Sequence, residues 1–264
     1  MNYINEIACV KNNELIAVNT YRVILESPEI SKISKPGQFV NILPSLDWDK
    51  AMRRPMSLAD SYNGYIELIY KVFGEGTDLM SKWSKGDSVD IIGPLGNCWS
   101  NFIKIPILIG GGVGIAPITY LSKFLNKNDI LHYLIMGARS SKEHFLKHDL
   151  DKKNLLSTDD GSAGVKGNVV DALRTLKLDC ESIKIFSCGP PLMMESIKKY
   201  TDKNKIDCDL ALETIMACGF GICQGCTVEF CSDESKEHSY RSKFGLVCLD
   251  GPIFNAKDIT TCIL

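Results

Sequence analysis

The stretch "ACGFGICQGCTVEFC", residues 217–231, places four cysteines in fifteen positions, with glycines that let the backbone bend tightly around something. Cys218, Cys223 and Cys226 are spaced C-x4-C-x2-C, the opening of the plant-type [2Fe–2S] ligand run, which needs a fourth and more distant thiolate. Zinc is the rival, although four-thiolate zinc sites more often come as two C-x2-C pairs. Two cysteines could complete the set. Cys231 follows "TVEF", an alternating segment that reads as a strand and would carry it away from the loop. Cys248, in "FGLVCLDGPIF", stands where a strand ends at a Gly-Pro turn and can return from the far side. The expected ligands are therefore Cys218, Cys223, Cys226 and Cys248, with Cys231 as the alternative fourth.

Three further stretches carry groups suited to anions. In "PILIGGGVGIAPITYLSKF", the loop holding Gly111, Gly112 and Gly114 lies between an apolar strand and a helix start, where backbone N–H groups can meet a pyrophosphate. Pro117 stands where the Rossmann fingerprint would have its third glycine, so the same loop also reads as an ordinary tight turn. "SCGPPLMM" puts Cys188, Gly189 and Pro190 directly after the strand "IKIFS", at the carboxyl end of a sheet where α/β folds bind ligands. Cys188 alone reads equally as a buried core thiol. "MRRPMSLAD" brings Arg53, Arg54 and Ser57 to the start of a strand, a guanidinium and a hydroxyl that suit one phosphate, or else a basic pair on an exposed rim. "IYKVFGEGTDLMSKW" then offers Gly74, Gly76 and Thr77 ahead of a helical stretch that begins near Asp78.

The elements that must position these groups change character along the chain. From Ile4 to about Gly96, short runs such as "YRVILES", "GQFVNILP" and "GYIELIYKVFGEG" are separated by Gly, Pro, Asn and Asp, the pattern of an antiparallel barrel. After Asn101, strands alternate with helices as far as residue 213, which implies a parallel sheet. The remainder is cysteine-rich and loop-like, and is expected to be organised by a metal instead of a core. The expected units are 1–100, 101–212 and 213–264. The 264 residues carry a formal net charge of −2 and no basic stripe, which argues against nucleic acid as a partner. No apolar run has the length of a spanning helix, and the first residues lack a signal-peptide core, so a cytoplasmic protein without a membrane is expected. The eleven cysteines then read as thiols and ligands.

The order R-x-x-S strand, G-x-G-T turn, G-x-G-x-x-P loop and C-G-P-P strand end resembles the ferredoxin–NADP reductase superfamily over about residues 1–210. That resemblance implies a flavin-binding β-barrel followed by an α/β domain for a nicotinamide nucleotide. It implies flavin contacts at Arg54, Pro55, Met56 and Ser57, at Ile69, Tyr70 and Lys71, and at Gly76 and Thr77. Met56 departs from the tyrosine common in the superfamily. With "ETIMACGFGICQGCTVEF…LVCLDGPIF" behind these two parts, the chain resembles the electron-transfer subunits of class 1B dihydroorotate dehydrogenases along nearly its whole length. The stretch between Cys226 and Cys248 departs from that family in its length and in its extra Cys231.

This second resemblance implies FAD, a [2Fe–2S] cluster and NAD as substrate, and a partner subunit that binds FMN and oxidises dihydroorotate, two of each chain assembling together. It implies no catalytic acid or base in this chain, and it gives Cys188 a part in shaping the nicotinamide pocket. Rival readings are a sulfide dehydrogenase or transhydrogenase subunit of the same domain order and, from another class, a zinc-stabilised nucleotide-binding module. Arg139 in "MGARSS" suits a 2′-phosphate or a salt bridge to an acidic neighbour. Phe220 and Phe254 are expected at an apolar surface that meets the partner, since a segment held by metal has little core of its own.

Overall fold

The computed structural model describes residues 3–45, 52–151, 153–231 and 240–264. Six antiparallel strands come first: β1 (Ile4–Ala17), β2 (Thr20–Glu26), β3 (Phe39–Ile42), β4 (Arg54–Tyr62), β5 (Tyr65–Lys71) and β6 (Ser88–Leu95). They close into a barrel in the order β1-β2-β5-β4-β3-β6, which leaves no unpaired edge. Alternation sets the inside. Val23 and Leu25 of β2, with Ile66, Leu68 and Tyr70 of β5, fill a core that also takes Val40, Ile42, Leu58 and Ile91. Strand β5 is buried on both faces, because Ile69 packs outward with Ala59 against Ala116 of a helix from the second unit. Two short helices, α1 (Pro28–Ile33) and α2 (Glu75–Ser81), fill corners of the barrel.

The second unit is a seven-stranded sheet of β7 (Ile105–Gly111), β8 (Tyr133–Ala138), β9 (Asn154–Thr158), β10 (Val165–Lys166), β11 (Ile183–Cys188), β12 (Asp207–Ala211) and, from the end of the chain, β15 (Ile253–Asn255). Its order is β10-β9-β8-β7-β11-β12-β15, parallel except for β15. Helices α3 (Ile115–Lys127), α4 (Val169–Thr175) and α5 (Pro191–Asn204) connect the parallel strands. Strands β7 and β8 lead one way across the sheet and β11 and β12 the other, so the order reverses between β7 and β11. Doubly wound sheets bind ligands at such a reversal. Helix α3 also fastens the two units together: Tyr120 Oη donates to the Ser34 carbonyl at 3.1 Å, and Lys123 Nζ lies 2.5 Å from Asp60 Oδ2.

The last fifty residues correct one expectation. Beyond β12 they form a small ladder of β13 (Thr227–Glu229) and β14 (Phe244–Leu246), with a turn of helix α6 (Tyr240–Lys243) before β14, and then β15 joins the large sheet antiparallel to β12. Cys226, Val228, Leu246, Val247 and Ile259 are buried in the same cluster as Ile107 and Ile185 of the central strands. This segment therefore has a core, one it shares with the nucleotide sheet. Phe254 is accordingly buried, packed at 6.0 Å against the ring of Phe230, because β15 must cover the open side of β12. Phe220 is half-buried and stacks on Tyr3 of the barrel unit at 5.8 Å. Neither phenylalanine forms the exposed patch its sequence context suggests.

Candidate functional site

A cavity of about 700 Å³ opens between the barrel and the sheet. Arg54, Pro55, Met56 and Ser57 of β4, Ile69, Tyr70 and Lys71 of β5, and Thr77 of α2 all line it. The two arginines divide their work. Arg53 Nη2 pairs with Asp90 Oδ1 at 2.9 Å, and its Nη1 reaches the carbonyls of Asn41 and Asp90, both at 3.3 Å, so this side chain braces the barrel. Arg54 Nη1 donates to the Met52 carbonyl at 2.8 Å, while its Nε and Nη2 have no protein partner among the described residues. Gly76 makes room for it: a Cβ there would lie 2.7 Å from Arg54 Nε. A guanidinium held in a cavity wall with unused donors fits a phosphate group of a bound flavin.

Two expected contacts have other duties as well. Thr77 Oγ1 accepts from the backbone N–H of Phe73 at 3.0 Å and of Gly74 at 3.3 Å, which closes the turn into α2. Tyr70 stacks on Tyr21, its partner on the adjacent strand β2, and gives its hydroxyl to Asn13 Oδ1 at 3.0 Å.

A second cavity, of about 860 Å³, lies over the carboxyl ends of β7, β8 and β9 and is lined by Gly111, Gly112, Gly114, Gly189 and Pro190. Its two glycine motifs interlock at the reversal point. Cys188 sits opposite Gly110 in the β11–β7 register, and a Cβ on Gly114 would lie 2.5 Å from the Cys188 carbonyl carbon and oxygen. Only glycine permits that approach, and it leaves backbone at the floor of the cavity where a pyrophosphate can come close. The two cavities share Lys71, Phe73, Val113, Gly114 and Glu213, so ligands in them would meet. Cys188 lines the barrel-side cavity, and burial, followed by the nearby Glu213, pushes its thiol up to about 12. It is a neutral wall group at ordinary pH.

Beside Lys71, this second cavity holds residues that the glycine motifs give no hint of. Arg139, Glu143 and Asp159 line it, and Arg139 forms the salt bridge to an acidic neighbour, Nη2 to Glu143 Oε1 at 2.6 Å. Hydrogen bonds from Arg139 hold the Glu143 carboxyl down at about 2. The clue in the sequence is only the i, i+4 spacing of the two charges in "ARSSKE".

The four cysteines stand as two pairs. Cys218 Sγ lies 3.4 Å from Cys223 Sγ, and Cys226 Sγ lies 3.2 Å from Cys248 Sγ. Cys231 is exposed, its backbone N–H bonded to the Asp258 carbonyl at 2.8 Å. Among the described residues no three His, Cys, Asp or Glu side chains converge where a single ion would sit. Four thiolates in two close pairs fit a [2Fe–2S] centre, two to each iron.

The loop also fits an anionic centre. Burial raises the Cys218 thiol, yet backbone N–H groups of Cys223, Phe220 and Ile222 outweigh it and bring the thiol down to about 7. Burial and the adjacent Cys226 push the Cys248 thiol up to about 12, a penalty that positive irons would offset. Asn41 of β3 donates to the Cys218 carbonyl at 2.9 Å, tying the loop to the barrel. Met216 lines the barrel-side cavity, and a single residue, Ala217, separates it from Cys218, so their Cα atoms are at most about 7 Å apart.

Protein-family profiles match the chain in two places: the iron–sulfur cluster binding domain of dihydroorotate dehydrogenase B over residues 213–260, and an oxidoreductase NAD-binding domain over 108–199. The dihydroorotate dehydrogenase B (NAD(+)) electron transfer subunit of Fusobacterium nucleatum is 33% identical over 95% of this chain and 96% of its own length. That of Listeria innocua is 36% identical over 93% and 94%. The chain belongs to this family of electron transfer subunits. Among solved structures, a chain of the NADH-dependent reduced ferredoxin–NADP oxidoreductase superposes on this electron transfer subunit family member with a TM-score of 0.82 and 28% identity, covering 97% of this chain and 90% of its own. Phthalate dioxygenase reductase shares the fold at a TM-score of 0.62 and 16% identity, over 94% of each chain.

Proposed function

We propose that the protein is the electron transfer subunit of an NAD-dependent dihydroorotate dehydrogenase, exchanging electrons between a catalytic partner subunit and NAD, with FAD and a [2Fe–2S] cluster as its bound groups. The observation that carries this reading is continuity: two cavities that share a wall, and a segment, Glu213–Met216, that leaves the barrel-side cavity and enters the paired-cysteine loop. When bound, the flavin exchanges hydride with the nicotinamide and single electrons with the cluster. The chain's own residues bind and align. Arg54 and Ser57 hold the flavin's phosphate side, with Pro55, Met56, Ile69, Tyr70, Lys71, Gly76 and Thr77 around the remainder. Gly111, Gly112, Gly114, Gly189 and Pro190 cradle the dinucleotide, and Cys188 forms the wall where it meets the flavin. Cys218 with Cys223, and Cys226 with Cys248, hold the cluster.

On this reading the working units are 1–100, 101–212 and 213–264, the partner carries FMN, two copies of each chain assemble, and the complex works in the cytoplasm. Among the described residues no helix is long and apolar enough to cross a membrane. Purified protein should be brown, contain flavin and iron, and oxidise NADH with ferricyanide, yet leave dihydroorotate untouched until the partner is added. Colourless protein that contains zinc would overturn the proposal. The 28% likeness to the reduced ferredoxin–NADP oxidoreductase chain supports a second reading, a subunit feeding a different flavoprotein. Mass spectrometry of the copurified host partner separates the two.

A further inference from the structure

The nucleotide cavity carries one carboxylate, Glu213, near Cys188 at the sheet's reversal point, and a group of four charges, Lys71, Arg139, Glu143 and Asp159, gathered around Glu143. Glu143 ends a single 3-10 turn, Ser141–Glu143, that follows β8, and its side chain is 16% exposed, whereas the Arg139 side chain is 78% exposed. Three donors crowd one carboxylate oxygen: Lys71 Nζ at 3.2 Å, Arg139 Nε at 3.2 Å and Arg139 Nη2 at 2.6 Å all reach Glu143 Oε1. Oε2 accepts the Arg139 backbone N–H at 3.1 Å and nothing else among the described residues. A carboxylate oxygen has about two acceptor positions, so Oε2 keeps one to offer. Lys71 comes from β5 of the barrel, so this bridge spans both units, and Asp159 adds a second negative charge beside Arg139.

We propose that Glu143 makes this cavity select the free ribose hydroxyl of NAD(H) against the 2′-phosphate of NADP(H); the inference rests on the nucleotide reading above. The spare position on Oε2 can accept from a ribose hydroxyl. A phosphate in its place would face the carboxylate and Asp159 at close range, and juxtaposed like charges reject the wrong ligand. Arg139 and Lys71, the two cations that would otherwise reward that phosphate, are both held by Glu143. With Glu143 present, the four charges cancel. With glutamine there, this part of the cavity gains a positive charge, and Arg139, already at the surface, is released to meet an anion. A carboxylate that only braced the two units together would, on removal, weaken both nucleotides alike and leave their ratio unchanged.

The test is calorimetric titration of the flavin- and iron-loaded protein with AMP and with adenosine 2′,5′-bisphosphate, alongside NADH and NADPH turnover with ferricyanide. The parent should bind AMP more tightly than the bisphosphate. Glu143→Gln should shift that ratio about ten-fold or more toward the bisphosphate, the size of one charge-assisted contact, and should shift NADPH turnover the same way. Adding Arg139→Ala should abolish the gain. An unchanged ratio in Glu143→Gln, or a parent that binds both probes equally, overturns the inference. If Glu143→Gln loses its flavin, Glu143→Asp and Arg139→Ala take its place. Both should still discriminate against the bisphosphate, and an Arg139→Ala protein that binds it better than the parent sinks the idea. A parent that binds no adenine nucleotide at all removes the nucleotide reading together with this inference, whereas intact AMP binding at an unchanged ratio removes only the inference.

Discussion

Arg53 and Arg54 are adjacent in sequence and opposite in use. Arg53 is tied to Asp90 across the barrel, and Arg54 reaches past Gly76 with donors to spare among the described residues. Arg54→Ala should therefore weaken FAD retention by about 1.5–3 kcal/mol, roughly ten- to a hundred-fold in dissociation constant, as lost charge-assisted contacts do. Equilibrium dialysis of the flavin measures this, and retention equal to the parent's would remove β4 from the flavin site. The cysteines divide in the same way. Serine at Cys218, Cys223, Cys226 or Cys248 should strip iron and bleach the visible spectrum, because a hydroxyl does not replace a thiolate in an iron–sulfur centre. Serine at Cys231 should leave both intact. Iron kept in Cys248→Ser and lost in Cys231→Ser would reverse the ligand assignment.

At the scale of elements, the strand ends at the reversal point are held apart by a single missing side chain. Gly114→Ala would drive a methyl group to 2.5 Å from the Cys188 backbone, which must push β7's loop away from β11's. The expected result is a raised KM for NADH, by about ten-fold on the scale of such misplacements, with flavin and iron contents unchanged. An unaltered KM would show that the loops can part freely. These loops, like the barrel, were legible in the sequence because glycine and proline mark them and an apolar strand precedes each. Glu143 was not, since its meaning depends on Lys71, 72 positions away on another unit, and no local pattern in "ARSSKE" records that meeting. Phe254 misled for a related reason. "DGPIF" has the composition of a surface turn, yet three residues suffice to pair with β12, a strand too short to show any periodicity. The stretch 232–239, which makes the span between Cys226 and Cys248 long, lies outside the described residues.

For the whole molecule, the proposed function would put a partner surface at Ile222 and not at either phenylalanine, both of which pack against other rings. Ile222 sits between Cys218 and Cys223 and is 76% exposed, an apolar residue at the rim of the cysteine loop. Ile222→Asp should abolish transfer from dihydroorotate to NAD in the reconstituted complex and leave NADH–ferricyanide turnover and iron content as they were. Loss of both activities with loss of iron would make Ile222 part of the loop's packing. The addition of β15 to the large sheet has a further consequence, for how such chains can be cut and recombined. The cysteine segment looks like a cassette that could be moved from one reductase to another, but its last strand covers the backbone of Asp209–Ala211. A chain ended after residue 212 would bare that strand as an open edge, with Leu210 and Leu212 behind it, and an open edge invites pairing with its own copies. Excision would thus trade an electron carrier for an aggregating sheet, and any viable transplant must bring a replacement strand with it.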